Sequence, residues 1–335
     1  MTNRRDFLKS ASLLTFGAFA ASKGLAANGV NAVSSASPKA TTASKNLGLQ
    51  LYSLGGEFFA NPADTLKKVK AAGYQQLELA FYSKGGFASF GRNGGSPLSA
   101  SDFKKMCDDA GIGIRSSHLT PNNLERGAKY GPDTKQKILD FWKGVIDDHK
   151  MFGCEYIVQP SLPTINSKED AQNVADVFNS VGELLRQNGI KFGYHNHSGE
   201  FNKVIPGGTE VIPYNQRMRP GQNGGATPEA IEKVFIDNTD KQNVLFELDC
   251  YWTVMGQQDP VEWIKTYKDR IQLLHIKDFV VIGASGAMNF ENIFNAFYAN
   301  GHKHWFVEIE DINSGKQVQR AEESAKYLLS RDFVK

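Results

Sequence analysis

The chain has 335 residues, of which 41% are hydrophobic and 22% are charged, and its formal net charge is +2. This length suits one large α/β domain or two small ones, and the composition is that of an ordinary globular protein. The three cysteines, Cys107, Cys154 and Cys250, are too few for a disulfide framework and lack the spacing of a zinc site.

The first residues have the layout of an export signal. Arg4 and Arg5 precede Phe7-Leu8-Lys9, a short apolar run covers residues 11–21, and small residues follow up to Ala27. Twin arginines in this order resemble a Tat signal, and the apolar run is too short for a convincing membrane span. A basic, disordered tail is the alternative.

We therefore predict a Tat signal over residues 1–27 and a flexible linker, rich in Ser, Ala and Thr, over residues 28–45. The protein is expected in the periplasm or exported by the Tat pathway, without stable membrane insertion once the signal is removed. Cleavage after Ala26 would remove four basic residues and one acid, which takes the net charge from +2 to −1. A charge so close to neutral argues against nucleic acid as a partner.

The rest of the chain repeats one unit, a short apolar strand with a polar end followed by an amphipathic helix. The predicted strands are 47–54, 75–81, 112–119, 156–162, 191–197, 243–249, 271–278 and 304–310. Helices fill the intervals, as at Lys168–Gln187, and the longer interval 201–226 is predicted to be an inserted loop.

Strict alternation of strand and helix predicts a parallel sheet, and eight such units predict a closed (β/α)₈ TIM barrel over residues 46–335. An open, doubly wound sheet is the alternative fold. It is disfavoured because no glycine-rich phosphate fingerprint follows the first strand.

One face of each predicted strand becomes polar towards its carboxyl end, because side chains alternate between the two faces of a strand. The polar residues on these faces are Gln50, Tyr52, Glu78, Ser116, His118, Gln159, Ser161, His195, His197, Glu247, Asp249, His275, Lys277, Glu308 and Glu310. Barrel active sites form at the carboxyl ends of the strands, and so many polar groups would be costly to bury without a function. We therefore expect these faces to converge on a site.

The residue types of this set indicate a divalent metal. Carboxylates and imidazoles without thiolates suit Mn²⁺, Co²⁺, Mg²⁺ or Zn²⁺ and argue against a structural zinc cage. Asp249 is predicted to be a ligand, with a helix cap as the alternative. The alternatives are a core histidine for His275, an ion pair with Lys277 for Glu308, and a hydrogen-bonded strand-end histidine for His195.

Several motifs also carry a resemblance to a known family. They are Leu47-Gly48-Leu49-Gln50-Leu51-Tyr52-Ser53, Tyr194-His195-Asn196-His197, Phe246-Glu247-Leu248-Asp249 with Tyr251-Trp252, Leu274-His275-Ile276-Lys277-Asp278 and Phe306-Val307-Glu308. Together they resemble the sugar phosphate isomerase/epimerase family of xylose isomerase-like TIM barrels, over essentially everything after the linker.

The resemblance implies one divalent metal, Mn²⁺ favoured, held at His195, Asp249, His275 and Glu308. The family's ketose epimerases carry a glutamate where this chain has His195, and they use two glutamates as paired acid and base. The departure puts two-glutamate epimerisation in doubt. An imidazole-rich fifth strand is similar to that of inosose dehydratases, which are metal-dependent eliminating enzymes.

The reactions of this family share one step, removal of the proton alpha to a carbonyl. We therefore expect a sugar isomerase or epimerase in which Glu308 or His197 is the base and Lys277 stabilises the enolate oxygen. The expected contacts to a carbohydrate substrate are Gln50, Tyr52, Glu78, His118, Gln159, Glu200, Glu247, Trp252 and Glu310.

Three other functions remain as alternatives. The first is a metal-dependent lyase or dehydratase, either inosose dehydratase-like or acting by β-elimination on keto-glycosides. The second is a non-catalytic sugar-binding barrel. The third is a nuclease of the endonuclease IV type, against which the near-neutral mature charge argues.

Overall fold

The computed structural model describes residues 45–88, 96–217, 225–311 and 314–335. The predicted signal and all but the last residue of the predicted linker lie outside these ranges. The described ranges belong to one compact unit, Ser44–Lys335. Among the described residues, no helix is long and apolar enough to cross a bilayer.

A parallel sheet of eight strands occupies the centre of the described unit. The strands are β1 (Leu47–Gln50), β2 (Tyr74–Leu79), β3 (Gly113–Ser117), β4 (Tyr156–Gln159), β5 (Lys191–His195), β6 (Val244–Asp249), β7 (Ile271–Lys277) and β8 (His304–Glu308). Their order across the sheet is β3-β2-β1-β8-β7-β6-β5-β4. A parallel bridge between His118 and Val158 links the two outer strands, so the sheet curls into a nearly closed barrel. The predicted (β/α)₈ barrel is confirmed.

Most predicted strands run past the observed ones at their carboxyl ends. After β1 the chain enters a 3₁₀ turn over Leu51–Leu54, and the side chain of Gln50 caps that turn by accepting the Tyr52 N–H at 3.1 Å. Similar overruns occur after β5 and β8, because apolar–polar alternation continues into the loops where the chain must leave the barrel.

Helices surround the barrel in the intervals between strands. They are α1 (Gly55–Ala60), α2 (Pro62–Ala72), α3 (Ala100–Ala110), α4 (Pro132–Lys143), α5 (Ile146–Phe152), α6 (Lys168–Gln187), α7 (Ile231–Asn238), α8 (Cys250–Met255), α9 (Pro260–Thr266), α10 (Phe290–Ala299) and α11 (Gln317–Leu329). The bounds of α6 are those predicted. Its buried stripe includes Val174, Phe178 and Val181, as the 3.6-residue period requires.

The predicted inserted loop contains regular structure. Lys203–Val204 pairs antiparallel with both Val211–Ile212 and Glu229–Ala230, which gives a small three-stranded sheet. The last of these strands occupies the place where Thr227-Pro228 suggests a helix start, and α7 begins only at Ile231. Strands of two residues are too short to show an alternating pattern in the sequence.

The barrel interior has two levels. Apolar side chains fill its first part and form a separate core cluster of Tyr156, Val158, Leu245, Leu273 and Phe306. The inward residues that follow along the same strands, among them Glu247, His275 and Glu308, are polar and buried. This apolar cluster, which we call the apolar plug, therefore lies beneath a polar layer at the carboxyl ends of the strands.

Candidate active site

Four residues predicted as metal ligands meet above the apolar plug. His195 ends β5, Asp249 ends β6, His275 lies in β7 and Glu308 ends β8. One ligand atom from each of these buried residues lies within 4.8 Å of the others. We call this set the outer group.

A second set of potential ligands shares two members with the outer group. His118 and Glu247 join His195 and His275 with the same mutual limit of 4.8 Å, and we call this set the inner group. Nδ1 of His195 lies 3.1 Å from the Glu247 carboxylate, and Nε2 of His195 lies 4.0 Å from the Asp249 carboxylate. His275 turns Nε2 to Glu247 at 3.2 Å and Nδ1 to Glu308 at 3.0 Å. Each imidazole therefore offers one nitrogen to each group.

Glu78 lies beneath both groups and is fully buried. It accepts hydrogen bonds from Gln50 Nε2 at 2.8 Å and Ser116 Oγ at 2.6 Å, and it contacts His275 Nε2 at 2.6 Å and His118 Nε2 at 3.1 Å. These contacts from β1, β3 and β7 hold the Glu78 carboxylate in one orientation.

Burial and neighbouring charges shift the titration of this cluster. Burial alone would lower the pKa of His275, but Glu247 and Glu78 outweigh it and raise that pKa well above its usual value. Burial and the nearby His275 hold the pKa of His195 well below its usual value. Burial raises the pKa of Asp249 to about 6 and also raises the pKa of Glu247.

The donor set fits a divalent cation. Asp249 Oδ2 is buried and has no hydrogen-bond partner among the described residues, although its other oxygen accepts the Trp252 N–H at 2.8 Å. An unpaired buried carboxylate oxygen is costly unless something neutralises it. Two imidazoles and two carboxylates are donors that Mn²⁺, Co²⁺ and Zn²⁺ accept.

Charge in the cluster points the same way. The carboxylates of Glu78, Glu247, Asp249, Glu308 and Glu310 face three basic groups with raised pKa values, those of His118, His275 and Lys277. Carboxylates therefore outnumber the basic groups around the site, and this excess favours a bound cation.

Lys277 connects the outer group to the rim of the site. Its ammonium contacts Glu308 at 3.2 Å and Asp249 at 3.9 Å, donates to Glu310, and lies 5.0 Å from the centre of the Trp252 ring. Burial opposes the charged amine, but these carboxylates raise the pKa of Lys277 above its usual value. Lys277 and His275 in turn hold the pKa of Glu308 well below its usual value, against the effect of burial.

His197 lies just beyond β5 and is positioned by its neighbours. Its backbone N–H donates to Glu200 at 2.9 Å, and the same carboxylate accepts the Tyr194 hydroxyl at 2.6 Å. The His197 ring lies 5.7 Å from the ring of Trp252. Burial lowers the pKa of His197 to about 4, so its imidazole is neutral near pH 7.

A cavity of about 430 Å³ opens above these residues. Of the predicted catalytic and metal residues, His195, His197 and Glu308 line it, and of the predicted substrate contacts, Tyr52, His118 and Glu310 do. The other predicted contacts, Gln50, Glu78, Gln159, Glu200, Glu247 and Trp252, do not line the cavity, and all of them except Trp252 are buried. Their contact with a substrate stays a prediction.

Sequence reasoning missed two kinds of residue at this site. Asn196 is not among the predicted polar-face residues, yet its side-chain oxygen accepts the Asp249 N–H at 3.0 Å and ties the end of β5 to β6. Phe81 and Phe141 line the cavity, although neither stands on a predicted polar strand face. Aromatic residues outside the strands carry no periodic signal that would have marked them.

Comparison with known proteins identifies the family. The family described as "Xylose isomerase-like TIM barrel" matches residues 66–331, which is most of the chain. This protein is a member of that family. The match covers both the barrel strands from β2 onward and the residues of the outer group.

Solved structures agree with this family assignment. A sugar phosphate isomerase/epimerase from Parabacteroides distasonis is 41% identical with a TM-score of 0.77, over 91% of this chain and all of that chain. A D-allulose 3-epimerase from Methylomonas sp. is 14% identical with a TM-score of 0.59, over 86% of this chain and 98% of that one. At that identity the second likeness concerns the fold alone.

Sequence relatives include inosose dehydratases. The protein from Clostridium tetani is 24% identical over 51% of this chain and 57% of its own length, and that from Clostridium botulinum is 25% identical over 50% and 57%. This family member therefore spans little more than half the length of these relatives. The family match and these relatives place it in an enzyme superfamily.

Proposed function

We propose that this protein is a divalent-metal-dependent sugar isomerase or epimerase that removes the proton alpha to the carbonyl of a ketose or keto-sugar. The observation that carries the proposal is the outer group, four ligand atoms gathered within 4.8 Å at the floor of an open cavity. When bound, a divalent ion would polarise the substrate carbonyl and its neighbouring hydroxyl. His195, Asp249, His275 and Glu308 would hold it.

The two candidate bases are placed differently in the structure. Glu308 is engaged by His275 and Lys277, and both contacts are made to its Oε2. His197 lines the same cavity, makes no side-chain hydrogen bond among those described, and is fixed by Glu200 through its backbone. Its position in the cavity lining, with ring nitrogens that are not engaged by neighbouring side chains among the residues that the structure describes, favours His197 as the base.

Glu247 and Glu78 have a positioning role in this proposal. A metal-ligating histidine usually donates its second N–H to a carboxylate, which fixes its tautomer and ring orientation. Glu247 stands at that place for His195, and Glu78 does so for His275. Lys277 is buried, and it pairs with Glu308 and Glu310.

Elimination is the second candidate reaction. It is favoured by the likeness to inosose dehydratases and by the imidazole of His195 where a two-glutamate epimerase has a carboxylate. Both reactions begin with loss of the same alpha proton, and they differ only in whether the proton returns or a beta substituent leaves.

The test is proton NMR in D₂O with metal-loaded protein and a panel of ketoses, inososes and 3-keto-glycosides. We expect solvent deuterium at the alpha carbon of a recovered or isomerised sugar, or loss of the alpha proton in an eliminated product. His197→Gln should slow this exchange by about 10²- to 10⁴-fold, the usual effect of removing one proton-transfer group.

His302→Gln is the matched control, because His302 bonds the Lys268 carbonyl and does not line the cavity. Quantitative transfer of the alpha proton to the neighbouring carbon would indicate a hydride shift and refute the proposal. Unchanged exchange in His197→Gln would remove His197 from the mechanism.

A further inference from the structure

The cavity is larger than one sugar ring requires. A dry cavity of about 150 Å³ accommodates a benzene ring, and this cavity measures about 430 Å³. There is therefore room for two six-membered rings and the atom that joins them.

Its walls differ in chemistry around the barrel mouth. The polar residues His195, His197 and Glu308 belong to the sector of β5 to β8. The aromatic residues Tyr52, Phe81 and Phe141 belong to the loops after β1 and β2 and to helix α4. Ser83, His118, Thr120 and Asn122 also line the cavity, so a ligand that fills it meets aromatic faces on one side with further hydrogen-bonding groups beside them.

Phe81 is held in the aromatic wall at a conformational cost. Its φ is 66°, one of two positive values among the non-glycine residues in the described part of the chain. That conformation is an outlier for a bulky side chain, and such strain concentrates at ligand sites. The Phe81 ring stacks on Tyr52, with centroids 5.7 Å apart and planes at 29°, and meets Phe59 edge-on at 4.9 Å.

We propose that Tyr52, Phe81 and Phe141 form a subsite for a second, planar ring, so that this protein takes glycosides carrying an aromatic aglycone. The inference rests on the proposed function only in assigning the sugar ring to the polar sector. Planar rings prefer offset or edge-to-face contact with aromatic side chains, and a Tyr52–Phe81 stack presents both kinds of surface.

Binding of unreactive glycosides tests the subsite separately from catalysis. Matched methyl and phenyl β-glycosides of glucose, galactose and xylose lack the keto group, so they bind without turnover. Titration calorimetry on the full-length, Mn²⁺-loaded protein should show phenyl glycosides binding about tenfold more tightly than methyl ones, which is the worth of one added aromatic contact.

Phe81→Gly is the informative variant, because glycine adopts a positive φ without strain. It should bring the phenyl-to-methyl affinity ratio close to one while melting at a temperature no lower than that of Phe81→Ala. Phe141→Leu, which changes the same wall without touching the strained position, should also reduce the ratio. Phe333→Ala is the control, since Phe333 packs near Phe294 and does not line the cavity.

Equal affinity for phenyl and methyl glycosides in the wild type, or no binding of either, would overturn the subsite. A phenyl preference that survives in both Phe81→Gly and Phe141→Leu would do the same. A phenyl preference that depends on Phe81, combined with no alpha-proton exchange on any keto substrate, would uphold the subsite and reject the proposed reaction.

Discussion

Replacing Lys277 by methionine should expose how strongly this buried cation balances the carboxylates around it. At an effective dielectric constant near 20, the Coulomb attraction is about 5 kcal/mol for Glu308 at 3.2 Å and about 4 kcal/mol for Asp249 at 3.9 Å. Desolvation of the ammonium offsets much of that gain. Removing one partner of a buried pair nevertheless costs about 3–5 kcal/mol, because the other charges are left unpaired.

The unfolding free energy lost in Lys277→Met should depend on whether a divalent metal is bound. Lys277 and a divalent ion would neutralise the same carboxylates. Each should therefore stabilise the folded protein less when the other is present. Metal-free Lys277→Met should lose about 3–5 kcal/mol of unfolding free energy, and added Mn²⁺ should restore more stability to the variant than to the wild type.

Urea unfolding followed by circular dichroism, with EDTA and with Mn²⁺, measures both quantities. Lys105→Met is the matched control, since Lys105 pairs with Asp109 at 2.6 Å on an exposed helix face and its side chain is 73% exposed. Its unfolding midpoint should not move. A loss below about 1 kcal/mol in metal-free Lys277→Met, the size typical of a surface pair, would refute this account of the site. Equal stabilisation of variant and wild type by Mn²⁺ would refute the shared role.

Three further predictions concern the metal and the leader segment. Asp249→Ala should abolish stoichiometric metal, measured by elemental analysis after gel filtration, and a fully loaded variant would show that the ligands are elsewhere. Glu247→Gln should keep the metal but weaken its affinity about 10- to 100-fold by competition with a chelating dye, since Glu247 orients His195; an unchanged affinity would deny that role. Joint replacement of Arg4 and Arg5 by lysine should trap the precursor in the cytoplasm of the producing cell, as cell fractionation and immunoblotting would show, whereas normal export would exclude a Tat signal.

The fold was predictable because its signals are local. Each barrel strand is a short apolar run, and α6 has a long 3.6-residue stripe, so neither needs knowledge of the partner elements. Convergence of the outer group followed from the architecture, because a (β/α)₈ barrel brings all carboxyl ends of its strands to one face.

Depth within the site was not predictable. Alternation indicates the face on which a side chain lies but not how far above the apolar plug it stands. Irregular registers add to the difficulty: the pairing of β6 with β7 shifts between Phe246 and Glu247, and that of β2 with β3 shifts between Leu77 and Glu78. Such bulges have no sequence signature here, so alternation alone could not show that Glu78 and Glu247 lie outside the cavity lining.

The narrow junction between β3 and β4 couples closure of the barrel to assembly of the site. His118 forms the bridge to Val158 that joins these strands, and the same residue contacts Glu247 at 2.7 Å inside the barrel. The amide of Leu119, bonded to the Val158 carbonyl at 2.9 Å, therefore reports on both. If native fluctuations open the barrel between β3 and β4, the Leu119 amide exchanges with solvent earlier than the amides of β7 and β8. Every such opening also separates His118 from the carboxylates that it contacts. Ligands that stabilise the inner group would slow amide exchange at the junction of β3 and β4, although they do not contact the backbone of either strand.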